Sequence, residues 1–156
     1  MKKVIFTENI YTYHIDFAGH VSNIVYIQWM EVARLKLLEA AGLPVHEIVE
    51  KLGLFPTLIR TEVQYHKQLF LGDTVRIEVW LSKLRNASAI MEFRFYNSNN
   101  ELTVSGNQTG LFINKKSHRP TPLDKKSVAS FAEYLEPEAK QKSDWQHQQE
   151  DRHVPK

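Results

Sequence analysis

The sequence predicts an α+β domain in which a curved antiparallel sheet wraps around one long central helix. Three observations carry this. Helical periodicity occupies one long early stretch, from about Asn23 to Ala41. After Gly53 the apolar period changes to two and holds as far as Ile113. The strands there follow one another through short turns, without intervening helices, and such strands pair antiparallel.

A first strand is expected from Ile5 to Tyr13, where β-formers alternate with polar residues. Ile15 to Ser22 contains Asp16, Gly19, His20 and Ser22 and reads as an irregular loop. In the helix, Tyr26, Met30, Ala33, Leu37 and Ala40 make one apolar stripe, widened by Ile27, Trp29 and Leu38. Ser22 or Asn23 caps its start, and Gly42 with Pro44 stops it. Pro44 to Leu52 reads as a second, short helix ending at Gly53. Thr57 to His66 alternates as a strand, and Leu71-Gly72-Asp73-Thr74 is a turn signal. Val75, Ile77, Val79 and Leu81 make the clearest half-buried strand, and Ala89, Met91, Phe93 and Phe95 repeat the pattern. A turn near residues 97–100 leads to a last strand from Leu102 to Ile113. Asp124 to Leu135 is compatible with a short amphipathic helix. The domain is therefore placed at residues 1–135, with a polar, disordered tail at 136–156.

Composition narrows the function classes. A chain of 156 residues with 42% hydrophobic and 24% charged residues fits one ordinary globular domain. Cysteine is absent, which removes disulfides, thiolate nucleophiles and cysteine-bound metal. Glu8 interrupts the N-terminal apolar stretch, so no signal peptide is read there, and no run approaches the ~20 apolar residues of a membrane span. A cytoplasmic enzyme or binding module is the default. The net charge of +2 is small and its basic residues are scattered, so neither nucleic acid nor membrane is expected as a partner.

Chemistry is expected where the polar loop Tyr13-His14-Ile15-Asp16-Phe17-Ala18-Gly19-His20-Val21-Ser22-Asn23 meets the helix. Ile15 and Phe17 flank Asp16, and partial desolvation by them would raise its pKa and strengthen it as a base. The first turn of the helix offers N–H groups without intrahelical partners at the positive end of the macrodipole, a natural oxyanion hole. On the residues alone, Asp16 stapling its own loop is the simpler reading. His14, Asp16 and His20 match no common zinc spacing, so no metal is assigned. A Gly-x-Ser-x-Gly elbow and a glycine-rich phosphate loop are both absent.

Tyr13 to Tyr26, continuing to Glu31-Val32-Ala33-Arg34, resembles the signature of the 4-hydroxybenzoyl-CoA thioesterase-like hotdog family. The pattern is Asp-x-x-Gly-His-Val-x-Asn-x-x-Tyr followed by an aromatic-rich helix with Glu and Arg. Tyr13-His14-Ile15-Asp16 with His20-Val21 and Tyr26 is especially similar to long-chain acyl-CoA thioesterases. Tyr65-His66-Lys67 and Leu71-Gly72-Asp73 resemble the family's later strand and turn.

The resemblance implies the hotdog fold and an acyl-CoA thioesterase that needs no cofactor. Asp16 would be general base or nucleophile, the Asn23 N–H the oxyanion donor, and His20 and Tyr26 would line the site. Gly19, Lys67 and Arg85 would contact substrate or CoA. Arg85 belongs to Lys83-Leu84-Arg85-Asn86, which corresponds loosely to the family's CoA-contacting segment, and an ordinary turn cation is an equal reading. Many members carry a second acid where this chain has His14. Glu31 and Arg34 are expected to pair with each other, and Phe55 and Phe70 to border an acyl pocket. The resemblance also implies a homodimer or homotetramer with active sites at the interface, as open strand edges would favour. The alternatives are a hotdog protein that binds acyl thioesters without turnover, or a hotdog hydratase or dehydratase; the spacing after Asp16 disfavours the latter.

Overall fold

A computed structural model describes residues 1–137, so the expected tail lies outside the described residues apart from Glu136 and Pro137. The elements are β1 (Val4–Asn9), α1 (Asn23–Ala40), α2 (Val45–Lys51), β2 (Leu54–Tyr65), β3 (Thr74–Leu84), β4 (Ser88–Tyr96), β5 (Leu102–Asn114) and α3 (Lys125–Ser130). The five strands form one antiparallel sheet in the order β1-β3-β4-β5-β2. This is the α+β hotdog arrangement that the resemblance implies.

The period-two pattern decides which face meets the helix. Val75, Ile77 and Val79 of β3, Phe93 and Phe95 of β4, and Val104 of β5 are fully buried. Tyr26, Trp29, Met30, Ala33 and Leu37 of α1 close onto them. Each large apolar side chain sealed in this way contributes about 1.5–3 kcal/mol, so the seam between α1 and the sheet is the main store of stability. Ile27, expected in the buried stripe, is 37% exposed, and Ile24 beside it is 64% exposed. They lie on a flank of α1 that the described residues leave uncovered.

The first strand is shorter than the alternation suggested. It ends at Asn9, and Thr12–His14 form a turn of 3-10 helix. Ile10 dives into the core, and the Tyr11 N–H donates to Nδ1 of the buried His14, so the backbone leaves the sheet there. The expected helix at 124–135 is likewise split into α3 and a 3-10 turn at Ala132–Tyr134. Glu136, just past the expected boundary, is buried; its Oε1 accepts from Trp80 Nε1 at 2.6 Å and its N–H donates to the Leu81 carbonyl.

One glycine sets how closely helix and sheet approach. A Cβ on Gly106 would lie 2.5 Å from the Glu62 carbonyl oxygen and 2.6 Å from Met30 Cε. The methionine end can swing away, but the ladder oxygen cannot. Gly106→Ala is therefore expected to cost ~1–3 kcal/mol and to lower Tm by about 3–10 °C, read by thermal denaturation. At Gly110 the nearest atom to such a Cβ is 3.6 Å away, so Gly110→Ala should melt close to wild type.

Candidate active site

The loop between β1 and α1 is closed on itself by Asp16. Its Oδ1 accepts from the N–H groups of Ala18 (2.9 Å) and His20 (3.4 Å), while its own N–H donates to the His20 carbonyl (2.9 Å). Gly19 makes this possible, because its φ of +80° suits a residue without a Cβ. Oδ2 takes no partner among the described residues. Asp16 therefore does staple its loop, with one oxygen, and the second stays available. Phe17, expected to shield the carboxylate, is fully exposed, and Asp16 itself is half-buried.

The loop is fixed to the helix start by two backbone bonds. The Ser22 N–H donates to the His14 carbonyl, and the Val21 N–H to the Leu69 carbonyl, both at 2.9 Å. Ser22 is the N-cap but its side chain makes no capping bond. The Asn23 N–H thus stands at the positive end of an 18-residue helix with no acceptor among the described residues. The Asn23 carbonyl accepts from the Tyr65 hydroxyl at 3.4 Å.

These groups share one cleft of about 760 Å³ whose walls include Asp16, His20, Asn23, Tyr26, Tyr65 and Lys67. Tyr26 is 2% exposed and packs edge-on against Trp29, Tyr65 and Phe95. Burial, followed by the neighbouring Tyr65, pushes its phenol well above the usual tyrosine range, so it stays protonated at neutral pH. It is a floor to the site and no base. His20 sits edge-on to Phe70 at 5.3 Å, which places Phe70 at the cleft wall as expected. Phe55 does not line the cleft.

The remaining expected residues divide. Lys67 lines the cleft, but its ammonium is held by Glu101, and that contact keeps the Glu101 carboxyl below its ordinary range. Arg85 is not brought to the site in its own chain. It sits in the β3–β4 turn, whereas Asp73 at the start of β3 lines the cleft, so the length of β3 separates them by roughly 35 Å. Arg34 Nη2 pairs with Glu31 at 3.1 Å, as expected. Sequence reasoning missed Asn97 and Glu101, which reach the cleft because the β4–β5 turn and the β1–α1 loop lie at the same end of the sheet.

His14, standing where a second acid was looked for, is 6% exposed and lies edge-on to Trp29 at 5.2 Å. Its Nδ1 accepts the Tyr11 N–H at 2.9 Å, which requires that nitrogen unprotonated. Burial depresses its pKa below 6.5, so the unfolded chain binds this proton more readily than the folded one. Its contribution is complete above pH 6.5 and is lost as pH falls through the lowered folded value. Thermal melts should show stability dropping with acid just below pH 6.5, with a shallower slope in His14→Gln. Equal slopes would contradict this.

Among the described residues no three His, Asp or Glu side chains gather as a metal-binding group, and no helix is long and apolar enough to cross a membrane. A family model described as the thioesterase-like superfamily matches residues 11–132. A Bacillus subtilis (strain 168) protein, named as a candidate acyl-CoA thioesterase, is 26% identical over 110 residues, covering 70% of this chain and 79% of that protein. A 1,4-dihydroxy-2-naphthoyl-CoA hydrolase of Prochlorococcus marinus (strain NATL2A) is 27% identical over 117 residues, 70% and 75% of the two chains. In structure, a DHNA-CoA thioesterase from Staphylococcus aureus superposes with a TM-score of 0.74 over 99% of this chain and 98% of its own, at 21% identity. At that identity the likeness speaks for the fold.

Proposed function

The chain belongs to the thioesterase-like superfamily, and from that membership we propose that it hydrolyses an acyl-CoA to the free carboxylic acid and CoA. The observation that carries the reading is the meeting of Asp16 and the open N-terminus of α1 in one cleft. Asp16 acts on the reacting carbonyl, either by taking a proton from water or by direct attack. The Asn23 N–H stabilises the oxyanion; a single donor of this kind lowers a barrier by roughly 3 kcal/mol. The C–S bond then breaks. With Asp16 as base, the proton it took from water passes to the departing thiolate; with direct attack, water afterwards hydrolyses the mixed anhydride on Asp16 and supplies that proton. His20 and Tyr26 shape the cavity, and Gly19 allows the loop its path. The names of the relatives support a CoA thioester as substrate, and a cytoplasmic setting suits a chain without cysteine.

The acting unit in this reading is at least a dimer. β2 is an edge strand of twelve residues with nothing on its outer side among the described residues. Apolar side chains gather near that edge and the cleft mouth: Ile24, Ile59, Tyr65 and Phe70 are 47–64% exposed, and Phe17 is entirely so. An open edge next to exposed apolar groups calls for a partner, and a second β2 is the simplest one. Antiparallel pairing of two copies carries the partner's basic end, with Arg85, Lys115 and Arg119, toward this cleft. CoA phosphates would meet their cations there, which gives Arg85 a role its own cleft does not.

Thiol release from a panel of acyl-CoAs tests the activity, and light scattering on the same preparation tests the assembly. The expected result is steady CoA release by a species at least twice the 18.2 kDa chain mass. Tight binding without thiol release would instead mark a binding module.

A further inference from the structure

The edge strand β2 carries two opposite charges, two residues apart, on one of its faces. Thr61, Val63 and Tyr65 lie opposite Gln108, Gly106 and Val104 of β5. They share the face that meets α1, because Val104 is fully buried and a Cβ on Gly106 would touch Met30. Arg60, Glu62 and Gln64 therefore point to the outer face. Arg60 Nη2 contacts Glu62 Oε1, and the other oxygen of that carboxylate accepts from Asn107 Nδ2 at 3.3 Å. Both side chains remain open to solvent, 65% and 49% exposed. Just before them the ladder with β5 slips at Ile59, which has no counterpart in β5 and is 60% exposed.

These residues decide how two copies can join. A twofold pair of identical antiparallel strands presents residue i of one copy to residue j of the other, and j to i. Opposed residues share a face, so the twofold axis passes beside a residue and never between two. Centred on Arg60, the pair would set Arg60 against the partner's Arg60. Centred on Glu62, it would set two carboxylates face to face. Both arrangements are destabilising. Centres at Ile59 or Val63 avoid like charges but set neither Arg60 nor Glu62 against an opposite one. With Thr61 at the centre, Arg60 lies opposite the partner's Glu62, and Glu62 opposite the partner's Arg60. The four charges then alternate in sign around a square on the outer face, and two threonines meet on the other face. The two bulges fall symmetrically outside the square, each exposed Ile59 level with the partner's Val63.

We propose that two copies of this chain join through β2 in the register centred on Thr61, held by reciprocal Arg60–Glu62 pairs across the twofold axis. This rests on the pairing of β2 edges and is independent of the hydrolase reading. With Ile59 bulged out of the count, Tyr65 on the cleft wall meets the partner's Pro56. The register thus also fixes which partner segment borders the cleft.

Charge reversal tests the register, read by sedimentation velocity across a dilution series, with far-ultraviolet spectra reporting that each variant is folded. Arg60→Glu puts four carboxylates in the square, and Glu62→Arg puts four guanidiniums there. Each single variant should dimerise about 10- to 100-fold more weakly than wild type, as two attractions become two repulsions. R60E/E62R restores the alternation and should dimerise within about threefold of wild type. A one-to-one mixture of the two single variants is the decisive sample. Every contact across its axis joins opposite charges, so native mass spectrometry should show heterodimer in clear excess over both homodimers. Pairing confined within each chain predicts no such excess, since each single variant has lost its internal pair. Single variants that dimerise as tightly as wild type, or a mixture without that excess, overturn the register and leave β2 pairing standing. A wild type that stays monomeric overturns pairing and register together, while thiol release still decides the hydrolase reading on its own.

Discussion

Asp16→Asn is expected to reduce kcat for acyl-CoA hydrolysis by about 10²- to 10⁴-fold, the contribution of a positioned base. Fold and cleft should persist. Asparagine keeps an oxygen at Oδ1 to accept from the Ala18 and His20 N–H groups, so the turn through Gly19 stays closed. Tm should stay within about 2 °C of wild type, as for a half-exposed substitution that preserves its hydrogen bonds. The pairing of lost rate with kept stability separates the two roles of this side chain, since only the turn needs Oδ1. Wild-type turnover in Asp16→Asn would remove the carboxylate from the mechanism.

The second large effect is expected at the oxyanion donor, which no ordinary side-chain substitution removes. Asn23→Pro deletes the N–H itself. The position tolerates proline unusually well: it is the first residue of α1, its N–H bonds to nothing among the described residues, and Ser22 before it already sits at φ −61°, ψ 141°. The helix should therefore survive, visible in an unchanged far-ultraviolet spectrum. Loss of one such donor lowers kcat by about 10²- to 10³-fold. A folded Asn23→Pro with full activity would place the oxyanion elsewhere.

How much of this was legible follows from the range of the interactions involved. The α1 boundaries could be read almost to the residue, because Ser22, Gly42 and Pro44 act locally and the apolar stripe runs through the whole segment. β4 was equally legible, since it buries one face and its alternation is complete, and so was β3 as far as Val79, beyond which Trp80 and Leu81 are both buried and the register shifts. The early end of β1 was not. It depends on the His14 ring accepting the Tyr11 N–H beneath Trp29, a contact that alternation does not record.

The site divides in the same way. Asp16, His20, Asn23 and Tyr26 fall within eleven residues of chain, so a local pattern found them and the fold brings them to one cleft. Arg85 was assigned from a loose correspondence, and the sheet carries it to the far end of its own chain. Asn97 and Glu101 join the cleft only through strand order, which leaves no periodicity in the sequence. Lys67 was found, but its partner Glu101, which holds the ammonium, was not.

The most direct test of the account is the structure of the Asp16→Asn protein holding an intact acyl-CoA. The thioester carbon is expected within ~3–3.5 Å of the residue-16 side chain and the carbonyl oxygen within hydrogen-bonding reach, ~2.7–3.1 Å, of the Asn23 nitrogen. A thioester bound well away from both groups, with residue 16 touching only its own loop, would contradict it.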